Sequence, residues 1–451
     1  VSFRLKIVEN CQNFNKEFDL VYLSKNNDYS LVINQTFDIW LASLDKEWNF
    51  NLFSKIYNLA FPDNIDYKNV KTNNFEFRPN VQNNINTKKE FLKNKVQKTL
   101  SFFNYLSKKN KIAFKTTHLS FYNEVKLNLL NNDFPSMLHN ESYKNEITNP
   151  DLRSKINIKD NNSNKLEKIL RIIIPDALPK TVVENYNSIF DKTLKCNWPK
   201  KPKIIFTSNS YDGDDFFKVW AAYLVEKKNS KYVIGQHGII DVSEKLLKNS
   251  IDYQVCDYYL RWGEKKYDKD IELFNFKNSN KKINFNIKNK ILVIARTTGH
   301  EVETYSRLDE FNIYHNCLKS LLMSFSEKVR KETIVRLKRT FKWTNKREFE
   351  YLKNNFEFLK IDTGEKNISS VYKKTKLAIF MYYSSGCLET ISLDIPTMIY
   401  CPIDIVYQDK NEKKYFDILK SCKILSLNVD EFLINTNNVI SDIQKWWYSD
   451  E

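Results

Sequence analysis

The sequence predicts an α/β protein made of two Rossmann-like units in tandem, preceded by a helical N-terminal elaboration. Three observations carry that expectation. Beyond residue 200, short apolar runs alternate with amphipathic stretches at helical spacing, the pattern of parallel strands joined by crossover helices. An Asn- and Lys-rich stretch at 276–290 reads as a linker and divides this alternation into two series. Before residue 200 helical spacing dominates, and 451 residues exceed what one core of ordinary size organises. The expected boundaries are 1–285 for the elaboration with the first Rossmann-like domain, 286–428 for the second, and 429–451 for a terminal helix packing back on the first.

Taken in order, 35–60 and 87–110 are expected helices, the latter with Phe91, Val96, Leu100, Phe103 and Leu106 on one face. The Asn-rich stretches 80–86 and 158–165 read as loops. The first series starts with a strand at 203–208, followed by a helix at 214–228 with Phe217, Trp220, Ala221 and Leu224 inward. Strands at 232–234 and 258–260 follow, the last running into Arg261-Trp262-Gly263. In the second series, 291–295, 333–337, 377–381 and 397–400 read as strands, with helices near 309–329, 367–375 and 387–394. The tail at 429–447 reads as one helix.

Composition narrows the function classes. The formal charge of +16 favours an anionic partner, which could be nucleic acid, an anionic membrane surface, or a nucleotide-activated donor with an acidic glycan. Lysine enrichment that merely solvates the surface explains it equally well. The start has no basic head, apolar stretch and cleavage site of a signal peptide, and no apolar run reaches the length of a membrane span. The expectation is a cytoplasmic protein, with peripheral contact at the inner membrane face left open by Trp446-Trp447 beside lysines. Seven scattered cysteines without a Cys-x-x-Cys pair indicate neither a disulfide framework nor a zinc knuckle. Phosphate-loop, dinucleotide and esterase-elbow glycine patterns are absent from the sequence.

Only seven glycines occur, and Gly213, Gly235, Gly238, Gly263, Gly299 and Gly386 lie beside polar residues at expected strand ends. Ligands bind outside the carboxyl ends of strands in open parallel sheets. After the first strand come Asn209, Asp214 and Asp215, after the second Gly235-Gln236-His237-Gly238, and after the third Arg261. Asp214 and Asp215 fall in the first turn of their helix, where the macrodipole favours a carboxylate that can attack an electrophilic carbon or accept a proton. Helix capping alone is the competing explanation. His237, with glycine on either side, suits acid/base work or contact with an anion, and no metal-ligand spacing accompanies it. In the second series Arg296, Thr297, Arg336 and Lys338 follow or end strands. Ser384-Ser385-Gly386 leads into a helix bearing Glu389, whose free N–H groups would suit a phosphate and whose Glu would suit ribose hydroxyls.

These residues resemble a known family. Pro202 to Ser210, Asp214-Asp215-Phe-Phe-Lys218, Gln236-His237-Gly238, Arg261-Trp262-Gly263, and Ser384-Ser385-Gly386-Cys-Leu388-Glu389-Thr390 with Ile395-Pro396 are similar to a family of bacterial surface-polysaccharide transferases. That family is in turn similar to retaining β-Kdo glycosyltransferases, which use CMP-Kdo. The resemblance spans roughly 168–402. It implies a GT-B architecture, two Rossmann-like domains facing a cleft, with the acceptor in the N-terminal domain and the nucleotide in the C-terminal one. It also implies a double displacement through an aspartyl adduct, with Asp214 as nucleophile, Asp215 where relatives often carry Glu, and His237 assisting. Arg296, Thr297, Arg336, Lys338, Ser384, Ser385, Gly386, Glu389 and Thr390 would hold the donor, and Asn209, Gln236, Gly238 and Arg261 would touch sugar or acceptor. Ile239 stands where relatives have a second glycine after Gln-His-Gly.

The resulting expectation is a glycosyltransferase that moves Kdo or a related acidic keto-sugar from a CMP-activated donor to a surface glycan or lipid-linked acceptor. No metal and no cofactor beyond that substrate nucleotide is expected. A CDP-glycerol-type polyol-phosphate transferase is the nearest enzyme alternative. A basic nucleic-acid-binding protein is the alternative of another class, but no recognised binding module occurs in the sequence.

Overall fold

A computed structural model describes residues 21–24, 31–60, 67–70, 106–135, 138, 146–156, 164–238, 250–278, 289–296, 310–337, 347–402 and 413–449. Its contacts divide the chain into two compact units, 1–117 with 121–233, and 118–120 with 234–451.

The first unit opens with a parallel strand pair, β1 (Val21–Ser24) and β2 (Tyr67–Val70). The helical expectation for 35–60 resolves into Asp38–Leu44 and Lys46–Ala60, with Asp45 between them. Trp48, Leu52 and Ile56 recur at helical spacing and pack with Leu31, Ile33, Ile169 and Ile173. Ile169 and Ile173 belong to the helix Lys165–Ala177, whose N-cap Asn164 accepts from the Glu167 N–H, so the loop expected at 158–165 ends in a helix start. Arg153 clasps Glu184 with two 2.7 Å bonds and reaches the Pro175 and Leu178 carbonyls at the helix end. Most of the helix expected at 87–110 lies outside the described residues; Ser107–Lys109 form one 3-10 turn.

The five-stranded sheet follows chain order: β3 (Ile112–Lys115), β4 (Ile204–Thr207), β5 (Lys231–Gly235), β6 (Tyr258–Trp262) and β7 (Asp270–Leu273). β3 pairs parallel with β4, and β6 with β7. β3 was not expected, because four residues between lysines carry too little periodicity to stand out from the helical signal around them. Beside β4, the helix Asp215–Lys228 buries Phe216, Phe217, Trp220, Ala221 and Leu224. Trp198 meets Trp220 and Phe216 edge-on at 5.2 and 5.0 Å.

The second sheet has six parallel strands: β8 (Lys290–Ile294), β9 (Thr333–Arg336), β10 (Lys360–Asp362), β11 (Thr375–Phe380), β12 (Thr397–Tyr400) and β13 (Leu425–Ser426). Their order is β10-β9-β8-β11-β12-β13, which is the Rossmann order 3-2-1-4-5-6. Alternate residues enter two cores: Ile291, Val293, Leu377 and Ile379 on one face, Leu292, Ala378 and Phe380 on the other. Burial of both faces is why these strands read as continuous apolar runs.

The tail forms two helices, Val429–Ser441 and Ile443–Trp447, broken at Asp442. It was expected against the first unit. Phe432, Val439 and Ile443 instead share one core with Ile291, Val293, Leu377 and Ile379 of β8 and β11. Near the expected linker, Phe276 is buried, and the Lys277 and Asn278 side chains bond Glu389. Among the described residues no helix is long and apolar enough to cross a membrane.

Candidate active site

The first unit separates two adjacent carboxylates. Asp214 occupies the N-cap of the helix Asp215–Lys228, where its Oδ1 accepts from the Phe217 N–H at 3.0 Å. Its Oδ2 lies 3.5 Å from Lys115 Nζ, and the side chain keeps 25% of its surface exposed. Lys115, from the unexpected β3, is buried, donates to the Leu138 carbonyl at 2.7 Å and lies 5.1 Å from the Trp198 ring centre. Asp215 is turned inward with 6% exposure. Its Oδ2 accepts from the Thr36 N–H at 2.7 Å and Thr181 Oγ1 at 2.5 Å, and its Oδ1 forms an ion pair with Lys218 Nζ at 2.6 Å. Burial pushes its pKa up, but the bonds from Lys218, Thr181 and Thr36 outweigh that and hold it below the usual carboxylate value. Capping and reactivity are thus compatible in Asp214, while Asp215 ties the helix start to the N-terminal segment. Asn209 is exposed beside them, and Gly213 admits Phe37, whose ring a Cβ there would meet at 2.9 Å.

In the second unit Gln236 is fully buried and stitches two motifs together. Its Oε1 accepts from the Trp262 N–H at 2.7 Å and its Nε2 donates to the Gly238 carbonyl at 2.9 Å. The Gln-His-Gly turn is therefore fixed to the Arg-Trp-Gly strand end, with His237 half-buried. Arg261, expected as a ligand contact, is 2% exposed and bonds Asp270 at 2.7 Å, between the rings of Tyr259 and Tyr267. Its guanidinium joins β6 to β7.

The donor residues expected from the second series fall into two groups. β8 and β11 are neighbours whose ends lie level, Ile294 opposite Phe380, and the strand order reverses between them. Arg296 follows β8, its guanidinium 5.2 Å from the Tyr314 ring and 5.7 Å from Tyr382. Ser384, Ser385 and Gly386 follow β11 and start the helix Ser385–Ser392. A Cβ on Gly386 would lie 2.7 Å from the Phe380 ring, so only glycine lets that helix start approach β11 this closely. The turn is held from inside by buried Cys387, whose Sγ accepts from the Ser384 N–H at 3.4 Å; burial pushes its thiol up to about 12. Arg336 bonds Asp362 at 2.5 Å and the Lys366 carbonyl at 2.8 Å, and so holds β9 to the loop after β10. Thr390 is buried and bonded to the Cys387 carbonyl and Thr397. Thr297 and Lys338 lie outside the described residues.

The Gln-His-Gly and Ser-Ser-Gly turns meet, since a Cβ on Gly238 would stand 3.0 Å from Ser385 Oγ. Glu389, one turn further, pairs with Lys277 at 2.8 Å. Lys277 and His237 both lie near enough to His118 to act on its charge. Sequence reasoning missed Lys115, His118 and Lys277. The run Lys115-Thr-Thr-His118 after a short apolar stretch was the available signal for the first two. Among the described residues no group of three His, Cys, Asp or Glu side chains is placed to hold a metal ion.

The chain belongs to a family described as the LIC12162 family of transferases, whose profile matches residues 3–451. No curated protein matches it. Among solved structures, it is similar to Staphylococcus aureus MnaA bound to UDP, with 10% identity, a TM-score of 0.36, and coverage of 62% of this chain and 79% of that one. It is also similar to the accessory secretory proteins 1, 2 and 3 of Streptococcus pneumoniae, with 12% identity, a TM-score of 0.33, and coverage of 57% and 50%.

Proposed function

We propose that this transferase is a retaining glycosyltransferase, moving Kdo or a related acidic keto-sugar from a CMP-activated donor to a surface glycan or glycolipid acceptor. The observation that carries the reading is that Arg296 and the Ser384–Gly386 helix start follow β8 and β11, neighbouring strands with level ends between which the strand order reverses. A helix N-terminus beside an arginine at such a point suits a nucleotide phosphate.

Asp214 is the nucleophile in this reading. Its carboxylate oxygen forms a bond to the anomeric carbon while the bond from that carbon to the phosphate oxygen breaks, and CMP leaves with the electron pair. The acceptor hydroxyl then attacks the same carbon, its proton passes to His237, and the Asp214 carboxylate is released. Lys115, 3.5 Å away, orients Asp214 and balances its charge in both free forms. Asp215 is the poorer candidate because its oxygens already hold Thr36, Thr181 and Lys218.

Thermal-shift measurement against CMP, CDP, UDP and GDP tests the donor class: CMP is expected to stabilise the protein, and selective stabilisation by UDP or GDP defeats the cytidine reading. Mass spectrometry of the denatured protein after brief exposure to CMP-Kdo tests the mechanism. A sugar adduct on the peptide holding Asp214 is expected, whereas a glycerophosphate product formed from CDP-glycerol points to a polyol-phosphate transferase.

A further inference from the structure

His118 lies just beyond β3, in the short segment 118–120 that belongs to the second unit. Thr116 and His118 both take left-handed backbone, with φ of 50° and 63°. Two such non-glycine residues within three positions are costly and persist where the surroundings, and often a function, demand them. The Nε2 of His118 is buried and has no hydrogen-bond partner among the described residues. A buried imidazole nitrogen in that state has given up water and received nothing in return.

Two groups nearby, His237 and Lys277, both act on the charge of His118 and are ones an anion would seek; Lys277 also pairs with Glu389 at 2.8 Å, so an anion there would share Lys277 with that carboxylate. Burial first, then Lys277 and His237, lower the His118 pKa to about 4, so the ring is neutral at neutral pH. We propose that His118 is a donor-binding residue whose Nε2 hydrogen-bonds an anionic oxygen of the sugar nucleotide, phosphate or carboxylate, alongside His237 and Lys277. The assignment rests on the sugar-nucleotide reading above. An anion there gives Nε2 its missing partner and reverses the electrostatic opposition to protonation, so binding raises the proton affinity of the ring.

The test uses the whole chain labelled with carbon-13 in its five histidine rings, titrated by NMR between about pH 8 and about pH 4. CMP, inorganic pyrophosphate and free Kdo are the probes. The spectrum of His118→Asn identifies the His118 signal, because asparagine tolerates positive φ. The expected result is that this signal moves with at least one probe and its titration midpoint climbs toward the ordinary histidine range. Movement with pyrophosphate but not Kdo assigns the phosphate, and the converse assigns the carboxylate. Movement with pyrophosphate or Kdo while CMP shifts no signal of the protein and gives no thermal stabilisation upholds His118 but sinks the cytidine donor. A signal unmoved by all three overturns the inference even if CMP binds. In turnover, His118→Asn is expected to raise the donor KM about tenfold with little change in kcat. His118→Gln, whose amide reaches the position of Nε2, is expected to recover most of that loss; an unchanged KM in His118→Asn also overturns the inference.

Discussion

The two sheets are wound differently, and their chemistry differs accordingly. The five-stranded sheet runs in chain order from β3 to β7, whereas the six-stranded sheet reverses between β8 and β11. A reversal sends the crossovers on its two sides to opposite faces and opens a crevice at the strand ends, where backbone N–H groups and a cation can converge on a ligand. Arg296 and the Ser384 turn stand there. The five-stranded sheet has no reversal, and the turn after β4 presents two carboxylates, exposed Asp212 and partly exposed Asp214, while Gln236-His237-Gly238 follows β5. In the proposed mechanism the two units divide the labour, anion binding falling to one and the nucleophile to the other.

The sharpest way to break that division is Asp214→Asn. In the proposed mechanism it removes the nucleophile and leaves the second sheet untouched, so transfer is expected to fall by a factor on the order of 10³ or more while CMP-induced thermal stabilisation persists. Loss of CMP stabilisation along with transfer would place Asp214 in nucleotide binding and dissolve the comparison. Next in size is Arg336→Met. Its guanidinium serves Asp362 and two carbonyls of the following loop, so about 3 kcal/mol of stability should go, read by chemical denaturation. CMP affinity should hold at temperatures where the variant stays folded; a large loss of affinity instead would return Arg336 to the nucleotide site. Gly386→Ala follows, at about 1–3 kcal/mol, because the new methyl must displace the buried Phe380 ring. Here CMP affinity is expected to weaken in step, since the helix start itself moves.

Legibility followed burial and length. β8, β11 and β12 stood out because nearly every residue is apolar, while β10 and β13, three and two residues long, leave no periodicity to read, and β3, as short as β12, lies between lysines amid helical signals. The Asp214 and Ser384 turns were visible because a strand, a polar turn and a helix follow one another within a few positions. Arg261 and Arg336 were read as ligand contacts for the same reason, yet their partners Asp270 and Asp362 lie 9 and 26 positions away. One sequence does not distinguish a buried ion pair from an arginine awaiting an anion. His118 and Lys277 were overlooked because each sits in a connecting segment, joined to the site only by the folded chain.

The smallest effect separates the two neighbouring aspartates. Asp215 has a folded pKa below its unfolded value because Lys218, Thr181 and Thr36 together outweigh burial. Its contribution is therefore complete above the unfolded value of about 4 and is lost as pH falls through the lower folded value. Asp215→Asn keeps an acceptor oxygen for Thr181 but gives up the charge opposite Lys218, so a loss of about 1 kcal/mol is expected near neutral pH. The wild-type advantage should vanish once the pH is low enough to protonate the folded carboxyl, and taking the difference between the two proteins cancels the acid destabilisation that His118 brings to both. Urea midpoints measured from neutral pH down to acid check this. An advantage that is constant with pH would mean that shape, not charge, holds Asp215 in place, and the electrostatic distinction from Asp214 would then fail.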